Sequence, residues 1–212
     1  MKKTVLAVST AALFGASAST LAATPTFYVG GQLGYQNVDM EESETWQGGS
    51  FSQDYSVSGL AGGLFAGARF DVTPKVFLAP EVNIGTSNAD GGWTNGSGNF
   101  FEFEAKNSYG FAVLTGYSLA DATDVYARLG YQRTKFEATS GGPNLDNASA
   151  SDTFGGFRYG VGMETAIGAQ TALRLDWSQT RYSSESYDGG FNNTTTFDPT
   201  ESLFQVGIVV SF

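Results

Sequence analysis

A strict alternation of residue types at the C-terminus constrains the fold more than any other feature of this sequence. The last ten residues are LFQVGIVVSF, and their even-numbered positions are all apolar: Phe204, Val206, Ile208, Val210 and Phe212. Side chains of a strand point alternately to its two faces, so one face meets an apolar phase and the other a small or polar one. A terminal strand frays unless both of its edges are paired. We therefore expect a sheet that closes on its own last strand.

The same alternation recurs upstream and predicts eight strands in total. The seven earlier period-two runs are 26–38, 60–70, 76–85, 108–117, 125–132, 157–164 and 173–178. Short connections are expected at 71–75, 120–124 and 167–171, and long polar loops at 38–56, 86–100, 137–153 and 183–200. Strands joined in this way are typical of an up-and-down meander barrel. Within the long loops, the Asp-Gly pairs of NADGGWTN and SYDGGFNN predict hairpin tips in preference to calcium sites.

The second face of these strands decides between a soluble barrel with an apolar pocket and a membrane barrel. A face in bulk water would be rich in Lys and Glu. This face is instead mostly Gly, Ala, Ser, Gln and Asn, with isolated charges of both signs. Small residues and pairable charges suit the narrow interior of an eight-stranded barrel. We therefore predict a charge network in the lumen, formed by Arg69, Glu81, Arg128, Arg158, Glu164, Arg174 and Asp176. Across the 167–171 turn, Glu164 should lie directly opposite Arg174.

The apolar face is almost free of charge and ends in aromatic residues, as the interfacial girdles of membrane proteins do. These residues are Tyr35, Phe70, Tyr109, Tyr117, Tyr131, Tyr159, Trp177 and Phe212. After the N-terminal segment, no stretch of about 18 apolar residues predicts a transmembrane helix. The predicted fold class is therefore all-β: a closed, antiparallel, eight-stranded, transmembrane up-and-down β-barrel.

The N-terminal segment is predicted to be a cleaved secretory signal peptide. Lys2 and Lys3 precede an apolar run over 5–14, and small residues follow up to Ala22 and Ala23. The apolar run is too short to span a bilayer as a helix. We expect residues 1–22 to be the signal peptide and 23–212 the barrel domain, with cleavage after Ala22 or Ala23. Loss of the two lysines changes the formal charge from −10 to −12, which argues against a nucleic-acid partner.

These features resemble the small outer-membrane barrels of the OmpA transmembrane domain, OmpX and opacity-type surface proteins, over nearly the whole mature chain. The most specific element is FQVGIVVSF, because in that family the last strand ends in Phe after alternating apolar residues and is read by the barrel-assembly machinery. The resemblance implies that Phe204, Val206, Ile208, Val210 and Phe212 form an assembly signal. It also implies export through the periplasm to the outer membrane of a Gram-negative bacterium, in contact with membrane lipid and lipopolysaccharide. The periplasmic domain of OmpA has no counterpart, so cell-wall anchoring is not inferred.

The absence of two residue types limits the chemistry that the chain can perform. The sequence contains no cysteine and no histidine. The hydrolytic outer-membrane barrels resemble one another in needing a catalytic histidine; they are the phospholipase, the lipid A deacylase and the omptin proteases. We therefore predict no catalytic, cofactor-binding or metal-binding residues. The expected function is that of a non-enzymatic barrel whose long surface loops contribute to envelope structure and to adhesion or another interaction with an extracellular ligand. A small porin or narrow channel for ions and small solutes is the alternative. A hydrophobic-ligand carrier of the OmpW type would need an apolar lumen.

Overall fold

A computed structural model describes residues 24–46, 49–143, 145–190 and 193–212 of the 212-residue chain. The predicted signal peptide lies outside these residues. The described strands are β1 (Thr26–Trp46), β2 (Gly49–Asp71), β3 (Val76–Ser87), β4 (Asp90–Thr94), β5 (Phe100–Ala120), β6 (Thr123–Gly142), β7 (Leu145–Ala166), β8 (Thr171–Tyr182), β9 (Glu185–Gly190) and β10 (Asn193–Ser211). No helix in the described part of the chain is long and apolar enough to span a membrane.

The strands form an antiparallel ring of eight. The neighbours around it are β1, β2, β3, β5, β6, β7, β8 and β10, and β1 pairs with both β2 and β10. The short strands β4 and β9 continue the paths of β3 and β8, and they pair with β5 and β10. Where the last strand meets the first, the Phe212 amide donates to the Phe27 carbonyl at 2.9 Å, and the two rings stack at 6.5 Å. The predicted all-β, up-and-down arrangement of eight strands is confirmed.

Tight turns join the strands at one end of the ring, as the sequence predicts. In the β2–β3 turn, the Val72 amide donates to the Val76 carbonyl at 2.9 Å. The β7–β8 turn is closed in the same way, by the Ile167 amide and the Thr171 carbonyl at 2.9 Å. Between β5 and β6 only two residues, 121–122, lie outside the strands. This end is called the turn end below, and the opposite end the hairpin end.

At the hairpin end the expected long loops are mostly strands. Strand β1 stays paired with β2 as far as Trp46 and Gly49, and β6 stays paired with β7 as far as Gly142 and Leu145, with one register shift just before that pair. These segments are rich in polar and acidic residues, which led to the expectation of loops. Period two nevertheless continues over 133–138, in which charged and uncharged residues alternate. Backbone hydrogen bonding continues from the ring and extends the strands.

The predicted Asp-Gly hairpin tips are also corrected. Asp90 and Gly91 lie within β4, and Asp188 and Gly189 lie within β9. Between β4 and β5 the turn instead begins at Asn95, whose side-chain oxygen accepts hydrogen bonds from the amides of Ser97 and Asn99, both at 3.0 Å. Gly98 follows with a φ of 80°, a conformation that favours glycine.

Candidate functional site

The two faces of the ring are inverted relative to a water-soluble protein. Leu33 and Leu64 on the outer face are 75% and 61% exposed, whereas Glu81 and Arg128 on the inner face are 3% and 1% exposed. An outer surface of this kind is stable when it meets lipid rather than water. The polar interior is the candidate functional site, because the groups that carry charge and hydrogen-bonding capacity lie there.

Five of the predicted lumen residues form one ion-paired cluster. Arg174 on β8 lies 2.6 Å from Glu81 on β3, and 2.5 Å from Glu164, its directly opposite neighbour on β7. Arg128 on β6 lies 2.9 Å from Glu81 and 3.1 Å from Asp176 on β8. Strands β3 and β8 are four places apart in the ring of eight by either route. The cluster therefore spans the full width of the interior.

Inward-facing aromatic residues complete this cluster. The hydroxyl of Tyr28 donates to Glu81 at 3.0 Å, and that of Tyr126 donates to Asp176 at 2.8 Å. The Arg174 guanidinium also lies 4.1 Å from the centre of the Phe65 ring, within cation–π distance. These contacts surround buried charges with donors and polarisable rings, as buried ions require. The strand parity of the sequence places all three rings inside, but their chemical role was not predicted.

Arg69 lies apart from the main cluster, at the turn end. Its guanidinium is 2.9 Å from Asp71, pairs with Asp124, and stacks 3.8 Å from the centre of the Phe77 ring. The side chain is 26% exposed, far more than those of Arg128 and Arg174. Arg69 therefore links β2 to β6, three places away in the ring, and its ion pairs lie apart from those of the main cluster.

Arg158 belongs to a second layer nearer the hairpin end, whose other members are uncharged. It donates to the Ser178 hydroxyl at 3.0 and 2.8 Å and to the side-chain oxygens of Gln132 and Gln205 at 3.4 Å. Among the described residues no carboxylate lies within ion-pair distance of it. The sequence prediction placed Arg158 with the charges, whereas the structure surrounds it with amides and hydroxyls.

The same layer contains two further amide pairs, one between the neighbouring strands β1 and β10 and one between β3 and β6, which are two places apart in the ring. Gln32 donates to Gln205 at 2.9 Å, and Asn83 donates to Gln132 at 3.1 Å. The internal cavity beside them is only about 20 Å³ in volume, room for about one water molecule. Strand parity shows that Gln and Asn are frequent on this face, but it predicted no site formed by them.

Above the amides, Glu201 and an apolar cap fill the hairpin end. Glu201 accepts hydrogen bonds from Gln36 at 2.9 Å and from Tyr182 at 2.7 Å. The Phe136 ring, 2% exposed, lies 5.3, 5.6 and 5.5 Å from the rings of Phe103, Phe154 and Tyr182. The buried small residues around this cap are Val38, Val57, Ala89 and Ala105. The sequence did not predict the cap, because much of it comes from segments expected to be loops.

The proposed assembly residues lie on the outer face of β10. Phe204, Val206, Ile208, Val210 and Phe212 are all between 42% and 69% exposed. Their alternation with buried Leu203, Gln205 and Val209 follows the predicted parity. Recognition of this strand by an assembly machinery remains a prediction.

A ring of β-strands with an apolar exterior and a hydrogen-bonded, charged interior is the architecture of an outer-membrane β-barrel. The family described as outer membrane protein beta-barrel domain matches residues 8–212, and this chain belongs to that family. The protein is therefore located in the outer membrane of a Gram-negative bacterium.

Individual relatives agree with this assignment. Outer membrane protein A of Salmonella typhi is 28% identical over 216 residues, a match that covers 100% of this chain and 56% of that protein. The chain thus spans about half the length of this relative. The outer membrane protease OmpT of Escherichia coli shares the fold with a TM-score of 0.53, 8% identity, and coverage of 92% of this chain and 100% of OmpT. For a major outer membrane protein of Thermus thermophilus, the TM-score is 0.50 and the identity 14%, with coverage of 84% of this chain and 99% of that protein.

Proposed function

We propose that this protein is a non-enzymatic, non-conducting barrel of the outer membrane. Its sealed interior stabilises the membrane-spanning ring, and its long hairpins present a surface outside the cell. In this role it contributes to envelope structure and to adhesion or another interaction with an extracellular ligand. The proposal includes cleavage of residues 1–22, so that 23–212 form the mature closed barrel.

The observation that carries the proposal is the ion pair between Glu81 and Arg174, which joins opposite sides of the interior at 2.6 Å. A conducting pore needs a continuous water path, whereas this pair crosses the lumen and the Phe136 cap lies further along it. Beside the amide layer between them, the described residues leave an internal cavity of about 20 Å³, which is too small for a wide channel. This geometry favours the sealed barrel over the small porin, which remains the alternative.

The chemistry of the interior also supports a non-enzymatic role. General acid or base catalysis needs a titratable group that substrate can reach. The carboxylates of Glu81 and Asp176 are buried and held by arginines and tyrosines. Histidine, the commonest general base, is absent from the sequence. The fold that this chain shares with the OmpT protease therefore carries a different role here.

The partners in this proposal are membrane lipid and lipopolysaccharide around the apolar band, the barrel-assembly machinery at the outer face of β10, and an extracellular ligand at the hairpin end. The outer face of β10 supports the second of these, because it presents an uninterrupted row of exposed apolar side chains from Phe204 to Phe212. Nucleic acid is not among the proposed partners, because the formal net charge is −10.

Single-channel recording in a planar bilayer tests the proposal directly. The wild-type barrel should show little or no conductance, whereas Glu81→Ala and Glu164→Ala should produce measurable, unstable openings because each removes a carboxylate from the cluster. Glu104→Ala is the matched control, since the one ion-pair partner of Glu104 among the described residues is exposed Lys106, at 2.6 Å. It should behave as the wild type. Steady wild-type channels unchanged by either interior substitution would reject the sealed barrel and favour the porin.

A further inference from the structure

Two arginines on the outer face lie at the border where the apolar band ends towards the hairpins. Arg133 follows Tyr131 on β6, and Arg181 follows Trp177 and Gln179 on β8. Both side chains are exposed. Neither has an ion-pair partner among the described residues. Unpaired cations on the outer face are notable in a chain with only 11 basic residues against 21 acidic ones.

The two arginines flank the same segment of β7. Arg133 is paired in register with Gly155, and Arg181 with Phe157, two residues further along. From the spacing of strands and residues, their Cα atoms are roughly 12 Å apart. Gly155 contributes no side chain between them, and a Cβ there would overlap the Tyr131 hydroxyl. The Tyr131 hydroxyl therefore lies over Gly155, in the space between the two strands that carry the arginines.

Among the described side chains in this space, the polar groups without a partner can all donate hydrogen bonds. The Tyr131 hydroxyl has no hydrogen-bond partner among the described residues. Gln179 uses its side-chain oxygen to accept from Tyr159, which leaves its NH₂ group free to donate. Among the nearby carboxylates that the structure describes, Glu137 pairs with Lys135 at 2.6 Å, and Asp198 accepts a hydrogen bond from Ser184. The donor cluster, defined as Tyr131, Arg133, Gln179 and Arg181, thus suits an acceptor with several oxygens.

We propose that the donor cluster binds the phosphate groups of an outer-leaflet lipid. Guanidinium groups bind phosphate through paired, charge-assisted hydrogen bonds. The donor cluster lies at the border of the apolar and aromatic band, so a lipid whose phosphate bound there would have its acyl chains against that band. This position indicates a lipid as the source of the phosphate. Phe157, 54% exposed on β7, is one such neighbour. The inference rests on the proposed orientation of the hairpins towards the outside.

Native mass spectrometry of the purified, folded barrel tests this site. The probes are diphosphorylated lipid A, its monophosphorylated form and phosphatidylcholine, each added to the protein in detergent. Wild-type protein should retain diphosphorylated lipid A best and phosphatidylcholine least. The variant Arg133→Gln with Arg181→Gln should lose about tenfold of that affinity or more, the loss expected when a charge-assisted hydrogen bond is removed. Slower migration of boiled than of unboiled protein on a detergent gel verifies folding.

Two further variants complete the test. Arg133→Lys with Arg181→Lys keeps the charge but not the planar fork, and it should bind with intermediate affinity. Lys75→Gln removes one positive charge from an exposed turn at the opposite end, and it should bind as the wild type does. Equal lipid retention by the wild type and the Gln variant would overturn the proposal, as would equal losses in Lys75→Gln.

Inorganic phosphate distinguishes a lipid site from a site for the free ion. Displacement of lipid A by inorganic phosphate at millimolar concentration would show that the cluster recognises free phosphate, and it would overturn the assignment to lipid. Failure of the proposed function would appear elsewhere, as conductance of the wild-type barrel. Because none of these variants touches the interior, the two results are independent.

Discussion

Glu81 and Arg174 form a 2.6 Å ion pair although they stand on β3 and β8, which face each other across the ring. No backbone hydrogen bond joins these two strands, so the side chains alone connect opposite walls. Arg128 extends the connection by contacting Glu81 at 2.9 Å and Asp176 at 3.1 Å. The interior charges therefore act as a transverse brace, and breaking it should weaken the barrel more than breaking any exposed pair.

The first prediction concerns this brace. Glu81→Gln leaves Arg128 and Arg174 short of one negative charge in a buried setting, and it should lower the free energy of unfolding by roughly 3 to 5 kcal/mol. Glu104→Gln makes the same change in the exposed pair with Lys106, and it should cost less than about 1 kcal/mol. Urea unfolding in lipid vesicles measures both. Similar losses for the two variants would contradict a bracing role for Glu81.

The second prediction concerns the outer face. Leu129 is 57% exposed at the middle of the apolar band. Leu129→Arg should cost roughly 2 to 4 kcal/mol, because it places a charge in the lipid. Val113, opposite Leu129 on β5, should behave in the same way. Leu129→Phe keeps an apolar surface and should be nearly neutral. Vesicle unfolding that ranked the two Leu129 variants equally would show that this face does not meet lipid.

The structure revises a comparison that strand parity suggests. From parity alone, Gln132→Arg faces the lumen and should cost less than an outward arginine. However, Gln132 is 3% exposed and accepts hydrogen bonds from Asn83 and Arg158. A second arginine there would remove the acceptor and face a like charge. We now expect Gln132→Arg to be as destabilising as Leu129→Arg in the same measurement.

The third prediction concerns assembly. Deletion of Phe212 removes the last residue of the exposed row on β10, together with the ring stacked on Phe27 and the hydrogen bond to its carbonyl. We expect unfolded protein to accumulate in the periplasm. Cell fractionation followed by detergent gels, with and without boiling, measures the folded fraction. A normal yield of heat-modifiable barrel in the outer membrane would refute the proposed assembly role. Phe51→Ala, an exposed aromatic change on a hairpin, serves as the control.

The fourth prediction concerns the apolar cap. Phe136→Ala removes a fully buried ring from its contacts with Phe103, Phe154 and Tyr182, and it should cost roughly 3 to 5 kcal/mol. Because the cap lies above the ion pairs, this variant should open the hairpin end while conductance stays low. Amide hydrogen exchange should therefore increase in the hairpins and remain slow in the membrane-spanning ring. Unchanged exchange in the hairpins would show that the cap does not hold them together.

The fifth prediction concerns pH at the hairpin end. The hydrogen bond from Lys135, at 2.6 Å, holds the pKa of the Glu137 carboxyl below its usual value. A lowered pKa in the folded state stabilises the protein above the unfolded pKa, and this contribution is lost as the pH falls through the folded pKa. The effect on stability should be small, because the pair is exposed. Carboxyl NMR should show Glu137 titrating at higher pH in Lys135→Ala than in the wild type, and identical titrations would contradict the contact.

The sequence predicted the ring well because alternation is a local property. The exposed positions Leu33, Leu64 and Leu129 and the buried position Arg128 all follow from parity within single strands. The direct pairing of Glu164 with Arg174 could also be predicted, since a short turn sets the register between their strands. Contacts between strands that are not neighbours in the ring could not be predicted in this way. Nothing in the sequence indicates that Arg174 reaches Glu81, or that Arg158 lies among amides, because such contacts depend on the shear of the whole ring.

The strand continuations were missed for a different reason. Phe103 and Phe136 lie in short stretches that do alternate, 101–105 and 133–138, but their apolar residues face the interior, where parity in the ring predicts polar ones. The Asp-Gly pair at Asp90 was a misleading turn indicator, because Asn95 and Gly98 supply the turn a few residues later. The local preference of an Asp-Gly pair for a turn competes with the backbone pairing that continues outward from the ring. At Asp90 the backbone pairing determines the structure.

The pairing of Tyr28 with Ser211 has a consequence for the order of folding. Until β10 is in place, β1 and β8 each keep an unpaired edge, and such edges readily pair with other chains. Joining strands so far apart in the sequence is also slow, because a long loop must close, at a cost in chain entropy, before the two strands form any stabilising contact. We therefore expect the incomplete sheet to aggregate more readily than the completed ring, in which β10 pairs with both β1 and β8.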